Sequence, residues 1–568
     1  MQRHHADETL QAINGLEPVL QRHWHPASVL LMVGAVGAIT RLISPYLLGK
    51  QQDPAVLVLD PNGQWVIPLL GGHSSGAEQL ARELAADLGG QAVLTGACAS
   101  DHRLALDSFG ESWGWRRGGS TDAWRSLMQE HARGHAVRIH QNKGATDWQR
   151  VSAGQGLVEE SPDSAQLSIG AELQAPCRWH PASLWLGVGC ERNTSLTLVE
   201  RAIDQALEEA GLDVEAVAGL ASADRKADEA ALLQLRDRRE WPFRTYSAER
   251  LDAIDVPTPS EVVRSELGTA SVAEAAALLA AGDDARLRLK KRISKAQATE
   301  HGAVTVAIAE AAVPSAPQRG ELHLIGSGPG DPALLSGDAR RALTRCCVWV
   351  GYGLYLDLLE PLRRSDQVRC DGELTREWDR CEQALGLARQ GAKVALISSG
   401  DSGIYGMAGL ALELWLQQPA IGRPSFEVHP GISALQLAAA RAGAPLMHDF
   451  CTISLSDRLT PWPVIEQRLQ AAAAGDFVVA LYNPRSRDRN WQLERARTLL
   501  REHRAGTTPV VLARQLGRAE EVVELTSLEG LEIESVDMLT LVLIGNSSSR
   551  ICDGRMVTPR GYPGAILS

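Results

Sequence analysis

The sequence predicts a multidomain α/β protein, and three observations carry that reading. Its 568 residues exceed what one hydrophobic core serves, so several compact units of roughly 100–200 residues are expected. Short runs rich in Val, Ile and Leu, such as Ala55-Val-Leu-Val-Leu59, Val394-Ala-Leu-Ile397 and Phe477-Val-Val-Ala-Leu481, alternate with longer Ala/Leu/Arg/Glu stretches of helical character. Glycine-rich turns directly follow several of these runs, where α/β sheets pass from strand to helix.

The bulk numbers exclude several classes. With 44% hydrophobic and 22% charged residues, Gly 52 and Pro 27, the composition is that of an ordinary folded chain. The longest apolar run, 29–39, falls well short of the roughly 20 apolar residues that cross a bilayer. The N-terminus lacks the basic-then-apolar pattern of an export signal, so a cytoplasmic protein with no membrane partner is expected. The cysteines at 98, 177, 190, 346, 347, 370, 381, 451 and 552 are odd in number and never form Cys-x-x-Cys. They read as reduced, packed thiols, and no protein-bound metal is expected. A net charge of -12 argues against a nucleic-acid partner, whose phosphates need a broad basic surface. A polyanionic small molecule remains open to such a chain where arginines concentrate locally.

Boundaries come next. Ala311 to Arg319 is a Pro/Ala/Ser stretch without apolar periodicity, and Ser161-Pro-Asp-Ser-Ala165 is loop-like ahead of the apolar strand Ser183 to Gly189. The expected units are therefore 1–100, a middle region 101–180, 181–310, a linker 311–319, and 320–568. The basic run Arg286-Leu-Arg-Leu-Lys-Lys-Arg292 alternates, which suits an edge strand with a solvated face as well as a polyanion site.

In the second half, the strand Leu322 to Ile325 runs into Gly326-Ser-Gly-Pro-Gly-Asp-Pro332, with a helix expected from about Ala333. A dinucleotide fold would place an acidic residue at the end of the next strand to hold a ribose. Here Cys347-Val-Trp-Val350 ends in Gly351-Tyr-Gly353, which disfavours the dinucleotide oxidoreductase reading. Two more turns follow strands: Ser398-Ser-Gly-Asp-Ser-Gly-Ile-Tyr-Gly-Met407 and His429-Pro-Gly-Ile-Ser-Ala434. Any one of them closes a tight turn; three together can converge on one crevice.

These loops resemble, in order, those of the tetrapyrrole (corrin/porphyrin) methylase family. Within it, Ser454-Leu-Ser-Asp-Arg-Leu-Thr-Pro-Trp462, Leu481-Tyr-Asn-Pro-Arg485, Gly545-Asn-Ser547 and Met556-Val-Thr-Pro-Arg-Gly-Tyr562 look like precorrin-3B C17-methyltransferase. The resemblance implies a two-lobed methylase fold with S-adenosylmethionine in the cleft, C17 methylation with ring contraction of precorrin-3B or cobalt-precorrin-3, and a homodimer through this domain. It places Gly328, Pro329, Gly330, Asp331, Ser399, Gly400, Asp401, Ile404, Tyr405, Ser433, Ala434 and Asn483 at the cofactor. A tetrapyrrole bearing many carboxylates needs guanidinium partners, for which Arg485, Arg487 and Arg514 are the candidates, with Arg489 and Arg518 nearby.

In the first half, glycines flank His73 at a strand-to-helix turn within Val66-Ile-Pro-Leu-Leu-Gly-Gly-His-Ser-Ser-Gly-Ala77, where an imidazole serves as base or acid, or caps the turn. With Gly34 to Pro45, this segment resembles the N-terminal domain of cobalt-precorrin-5A hydrolase. Gly187 to Ser195, Ala221 to Glu229, Tyr246-Ser-Ala248 and Pro259 to Val263 resemble its C-terminal domain, which implies two smaller α/β domains here. The implied reaction opens a ring-fused lactone with water and releases acetaldehyde. His73 as base and Lys226 as donor are the catalytic candidates, against a Lys226–Glu229 helix-surface ion pair. His4, His5, His23 and His25 read as a solvated terminus, and the tryptophans of 101–170 carry no assignable chemistry. Two activities on one chain have a chemical logic, because one makes the lactone that the other opens. The other reading makes the N-terminal half a non-catalytic tetrapyrrole-binding module.

Overall fold

The structure, a computed structural model, describes residues 16–49, 52–72, 76–95, 103–152, 155–373, 375–486 and 489–563. His73, Arg487, His4, His5 and Cys98 lie outside the described residues. Among the described residues, the α/β architecture is built on six sheets.

The first sheet orders β1 (Val29–Val33), β2 (Ala55–Leu59), β3 (Trp65–Leu70) and β4 (Gln91–Ala92) side by side. Apolar β2 is wholly buried in its centre, and the helix Ala77–Leu88 packs Ala77, Ala81 and Ala85 onto it. The next sheet runs β5 (Arg116–Gly119), β9 (Cys177–His180), β8 (Leu167–Ile169), β6 (Val137–Gln141), β7 (Leu157–Glu159).

The tryptophans that the sequence left without a role build the core of this sheet. Trp113, Trp115, Trp124 and Trp148, joined by Trp179 of β9, are buried around Phe109, and that core is continuous with Leu322, Leu324, Val348 and Leu396 of the second half. Each indole needs a partner for its N–H once buried. Trp179 donates to the carbonyl of Leu106 at 2.8 Å, Trp124 to that of Gly118 at 2.8 Å, and Trp148 to Gln141 Oε1 at 3.0 Å. The junction is tight: a Cβ on Gly114 would lie 2.5 Å from the Gly391 backbone.

The third sheet is β12 (Phe243–Tyr246), β11 (Val217–Ala223), β10 (Leu184–Cys190), β14 (Ala303–Glu310), β13 (Arg286–Lys295). Strands β10, β11 and β12 are parallel, and the basic run sits on the edge strand β13, where Arg288 pairs with Glu310 and Glu172. Helices Leu196–Ala210 and Ala230–Arg239 cover one face, and Ala273–Ala281 the other. Within residues 311–319, Ala311, Ala316 and Pro317 are buried while Val313 is exposed, and a 3-10 turn forms at Pro317–Arg319.

The second half has two lobes. In the first, β17 (Val368–Gly372), β16 (Val348–Tyr352), β18 (Lys393–Ser398), β15 (Glu321–Gly326) and β19 (Ser425–His429) are all parallel. Continuous apolar runs such as Val394 to Ile397 suit a sheet covered on both faces. The second lobe is mixed: β21 (Phe450–Ser454), β22 (Val478–Tyr482), β25 (Thr540–Ile544), β23 (Pro509–Arg514), β24 (Val522–Ser527). A small sheet of β20 (Gly443–Ala444), β27 (Arg555–Val557) and β26 (Arg550–Cys552) finishes the chain. The helix expected near Ala333 starts later. Asp331 caps a 3-10 turn, Pro332–Leu334, and the α-helix begins at Gly337 behind the cap Ser336.

Trp179→Ala removes a wholly buried ring from the core shared by two sheets and is expected to cost about 3–5 kcal/mol. Chemical denaturation followed by tryptophan fluorescence reads this; a loss below about 1 kcal/mol would mean that the aromatic cluster is not a structural core.

Candidate functional site

Strands β18, β15 and β19 are neighbours in one parallel sheet, so their carboxyl ends, and the turns that follow them, lie side by side. That is the edge at which open α/β sheets bind ligands. The three glycine turns touch through their backbones. Gly328 N donates to the Gly400 carbonyl at 3.1 Å and Gly400 N to that of Gly328 at 2.8 Å. Asp401 ties in the third turn, accepting from Gly403 N at 2.8 Å on one oxygen and from Gly431 N at 3.1 Å on the other. No side chain fits between them: a Cβ on Gly431 would lie 2.1 Å from the Gly400 oxygen, and one on Gly326 2.6 Å from Gly431 N.

The second lobe closes the crevice from the opposite side. Tyr482 accepts from Leu435 N at 3.1 Å, its ring 5.1 Å from that of Tyr405, whose hydroxyl donates to the Thr452 carbonyl at 3.0 Å. Burial pushes the Tyr482 phenol above its ordinary pKa. Tyr405, Asn483 and Gln515 all carry positive φ, at 54°, 49° and 48°. Such backbone strain in non-glycine residues gathers at binding sites. The enclosed space is about 200 Å³, below the roughly 300 Å³ at which a drug-sized ligand is engulfed. A roomier groove of about 470 Å³, lined by Arg236, Trp241 and Arg423 among others, shares no residue with the glycine turns.

Of the residues singled out from sequence, Pro329, Ser399, Gly400, Asp401, Ile404, Tyr405, Ser433, Ala434 and Asn483 line this crevice. Gly328, Gly330 and Asp331 do not line it; they shape its first turn, Gly330 by packing against Gly517 and Asp331 as a cap. The arginines divide. Arg485 pairs with Glu534, and Arg514 with Glu524 at 3.0 Å. Arg489 is buried, donating to the Asn483 carbonyl at 3.1 Å. Arg518 lines the crevice beside Tyr355, and among the described residues no carboxylate pairs with it. Sequence reasoning missed Tyr355, Gln515 and the stretch Met538 to Leu541, which also line it. The last is plain apolar sequence with no turn signal.

A second cluster forms at the carboxyl ends of β10, β11 and β12, where the loops at 191–195 and 224–229 meet. Lys226 Nζ lies 3.6 Å from Glu229 Oε2. Those side chains are only 13% and 2% exposed, so this is an inward-facing pair and not the helix-surface pair expected from spacing. Arg192 reaches Asp228 Oδ1 at 2.6 Å and approaches Glu229 Oε2 at 3.8 Å, yet that oxygen has no hydrogen-bond partner among the described residues. Burial pushes the neighbouring Cys190 thiol up to about 11, against the pull of Lys226. A buried carboxylate left short of hydrogen bonds, with a cation beside it, is poised to take a ligand. His73 lies outside the described residues.

Comparison with known proteins fits this layout. Residues 321–532 match the family model of tetrapyrrole (corrin/porphyrin) methylases, 184–309 that of the cobalamin synthesis G C-terminus, and 18–99 that of the cobalamin synthesis G N-terminal. A probable cobalt-factor III C(17)-methyltransferase of Salmonella typhimurium is 49% identical over 243 residues, covering 42% of this chain and 99% of that protein. A precorrin-3B C(17)-methyltransferase of Sinorhizobium sp is 40% identical over 252 residues, covering 43% and 98%. The crystal structure of the methyltransferase CobJ aligns with 36% identity over 42% of this chain and 100% of that one, at a TM-score of 0.40.

Gly431→Ala is expected to lower stability by about 1–3 kcal/mol through overpacking. Gly409→Ala, whose methyl meets nothing within 4 Å on a helix, should leave stability unchanged or raise it slightly. Equal denaturation midpoints for the two variants would disprove the backbone crossing.

Proposed function

The chain belongs to the tetrapyrrole (corrin/porphyrin) methylase family, with both cobalamin synthesis G modules joined on its N-terminal side, and from that premise we propose a bifunctional corrin-ring enzyme. Its 320–568 portion methylates C17 of precorrin-3B or cobalt-precorrin-3 with ring contraction, using S-adenosylmethionine. Its 1–100 and 181–310 portions open the resulting type of lactone in cobalt-precorrin-5A and release acetaldehyde. The observation that supports the first activity best is the crevice in which Gly326 and Gly431 leave no room for side chains and Gly400 turns at positive φ against Gly328.

S-adenosylmethionine supplies an already electrophilic methyl group, so the protein's work is alignment and exclusion of water. Pro329, Ser399 to Asp401, Ile404, Ser433, Ala434 and Asn483 are the residues to hold it. They line one crevice, and bare backbone suits close approach of a nucleoside. Asp401 holds two turns in register through its paired backbone bonds. Arg518, at the crevice and without a carboxylate partner among the described residues, takes over the role first given to Arg485 and Arg514, both engaged elsewhere. It would receive a propionate or acetate of the macrocycle.

For lactone opening, Lys226 stabilises the developing oxyanion and Glu229, held beside it, is the best-placed described base for water. His73 keeps its candidacy from sequence.

Four measurements test this reading. Calorimetric titration should show S-adenosylhomocysteine binding and NAD not; the reverse ends the methylase assignment. Arg518→Ala should raise KM for the tetrapyrrole roughly tenfold or more at little cost to S-adenosylhomocysteine affinity, in keeping with about 1.5–3 kcal/mol for a charged hydrogen bond. Mass spectrometry of products should show one added methyl group. With cobalt-precorrin-5A, trapped acetaldehyde should fall at least a hundredfold in Lys226→Met while tetrapyrrole binding persists. No acetaldehyde even from the intact chain would make the N-terminal half a binding module.

A further inference from the structure

Behind the glycine crevice, on the face of the first methylase lobe covered by helix Gly337–Arg345, two histidines far apart in sequence face each other. His323 sits on β15 and His429 on the adjacent edge strand β19, both buried. His323 Nδ1 and His429 Nε2 are 2.9 Å apart. Each outer nitrogen is engaged by a carboxylate: His323 Nε2 by Glu321 Oε2 at 3.0 Å, and His429 Nδ1 by Asp338 Oδ2 at 2.6 Å.

Those carboxylates are held by arginines, Glu321 by Arg345 and Asp338 by Arg341 at 2.8 Å. A paired carboxylate only accepts, so each ring must donate from its outer nitrogen. Both neutral rings then turn lone pairs inward at each other across 2.9 Å, which repels unless a cation lies between them. Carboxylates that orient histidines in this way are the usual outer partners of metal ligands.

The third group decides which cation fits. Glu427 Oε2 lies 3.8 Å from His323 Nδ1 and 3.8 Å from His429 Nε2. A shared proton on the nitrogen–nitrogen line has no use for an oxygen so placed. In a triangle of sides 2.9, 3.8 and 3.8 Å, however, the point equidistant from the corners is about 2.1 Å from each. That is the bond length that Zn²⁺ makes to imidazole nitrogen and carboxylate oxygen, roughly 2.0–2.2 Å.

Charge points the same way. The surrounding network runs from Asp87 through Arg341, Asp338, His429, His323, Glu321 and Arg345 to Glu83, with Lys393 4.0 Å from Glu321. Glu83, Asp87, Glu321, Asp338 and Glu427 set five negative charges against three positive ones on Arg341, Arg345 and Lys393, leaving two for a divalent ion to neutralise.

We propose that His323, His429 and Glu427 form a site for a divalent transition-metal ion of the zinc or cobalt class, its remaining position open to solvent beside the exposed Glu427. This departs from the expectation of no protein-bound metal, which rested on cysteine spacing. Because Glu83 and Asp87 lie on the helix Ala77–Leu88 of the N-terminal sheet, the site also belongs to the contact between that module and the methylase.

The test titrates the chelator-treated full chain with Co²⁺. The expected result is one equivalent bound with a ligand-field absorption band between about 500 and 650 nm, whose intensity reports low coordination number, displaced by Zn²⁺. Glu427→Gln, on a side chain 58% exposed and so compatible with folding, should weaken binding at least tenfold, and His429→Gln should abolish the band. The metal should raise the thermal midpoint of the parent chain and not of His429→Gln. No saturable uptake, or uptake unchanged by Glu427→Gln in a variant that melts like the parent, overturns the site and leaves a proton shared between the rings.

Discussion

Where β15, β18 and β19 end, backbone must touch backbone. Adjacent parallel strands bring their carboxyl ends to one level, and three turns leaving that level compete for the same few cubic ångströms. A Cβ on Gly326 or Gly431 would stand under 3 Å from neighbouring backbone atoms, closer than real contacts allow. Glycine resolves the competition, and the bridge between Gly328 and Gly400 with the Asp401 bonds then makes the crevice a fixed feature of the fold. The second lobe adds its own strained positions, Asn483 and Gln515, to the same opening. A site held in this way needs little ordering when a ligand arrives.

That rigidity extends into the first half of the chain. The tryptophan core of the middle sheet is continuous with the apolar interior beneath β15 and β16, and Cys347 donates its S–H to the Ser112 carbonyl at 3.1 Å. The N-terminal sheet is attached differently, through charged groups on two helices, Arg341 to Asp87 at 2.7 Å among them. An apolar seam and an ionic one differ in kind: the first is not weakened by ionic screening, whereas exposed pairs weaken as ions screen them. The middle region thus holds to the methylase more firmly than the module carrying His73.

Much of this was legible. Strand-then-glycine order gave three turns, and their convergence follows once the strands are adjacent, although adjacency itself comes from sheet topology. The alternating basic run at 286–292 read correctly as an edge strand. Other features could not be read, for identifiable reasons. Met538 to Leu541 enters the crevice because β25 lies mid-sheet in the second lobe, and nothing local marks it. Arg485 and Arg514 looked available because their partners, Glu534 and Glu524, are set by folding. Lys226 and Glu229 have the spacing of a surface pair, yet the loop turns them inward. His323 and His429 are separated by 106 residues, beyond the reach of any spacing rule. The tryptophans of the middle region gave a composition without a period, so their core was invisible until the sheet was formed.

Both proposed reaction sites obey one rule, lying past the carboxyl ends of parallel strands, but their chemistries make opposite demands on water. Methyl transfer from a sulfonium requires water to be kept from the electrophile. The methylase crevice meets this with two lobes clamped by Tyr405 and Tyr482, and with Met538 and Leu541 among its walls. Lactone opening consumes water, and the cluster on the third sheet reaches solvent through Arg192, 53% exposed beside the buried Glu229. One crevice cannot be dry for the first step and wet for the second. Two separate strand-end sites on one chain reconcile those demands, and they also require the macrocycle to leave one site before it enters the other.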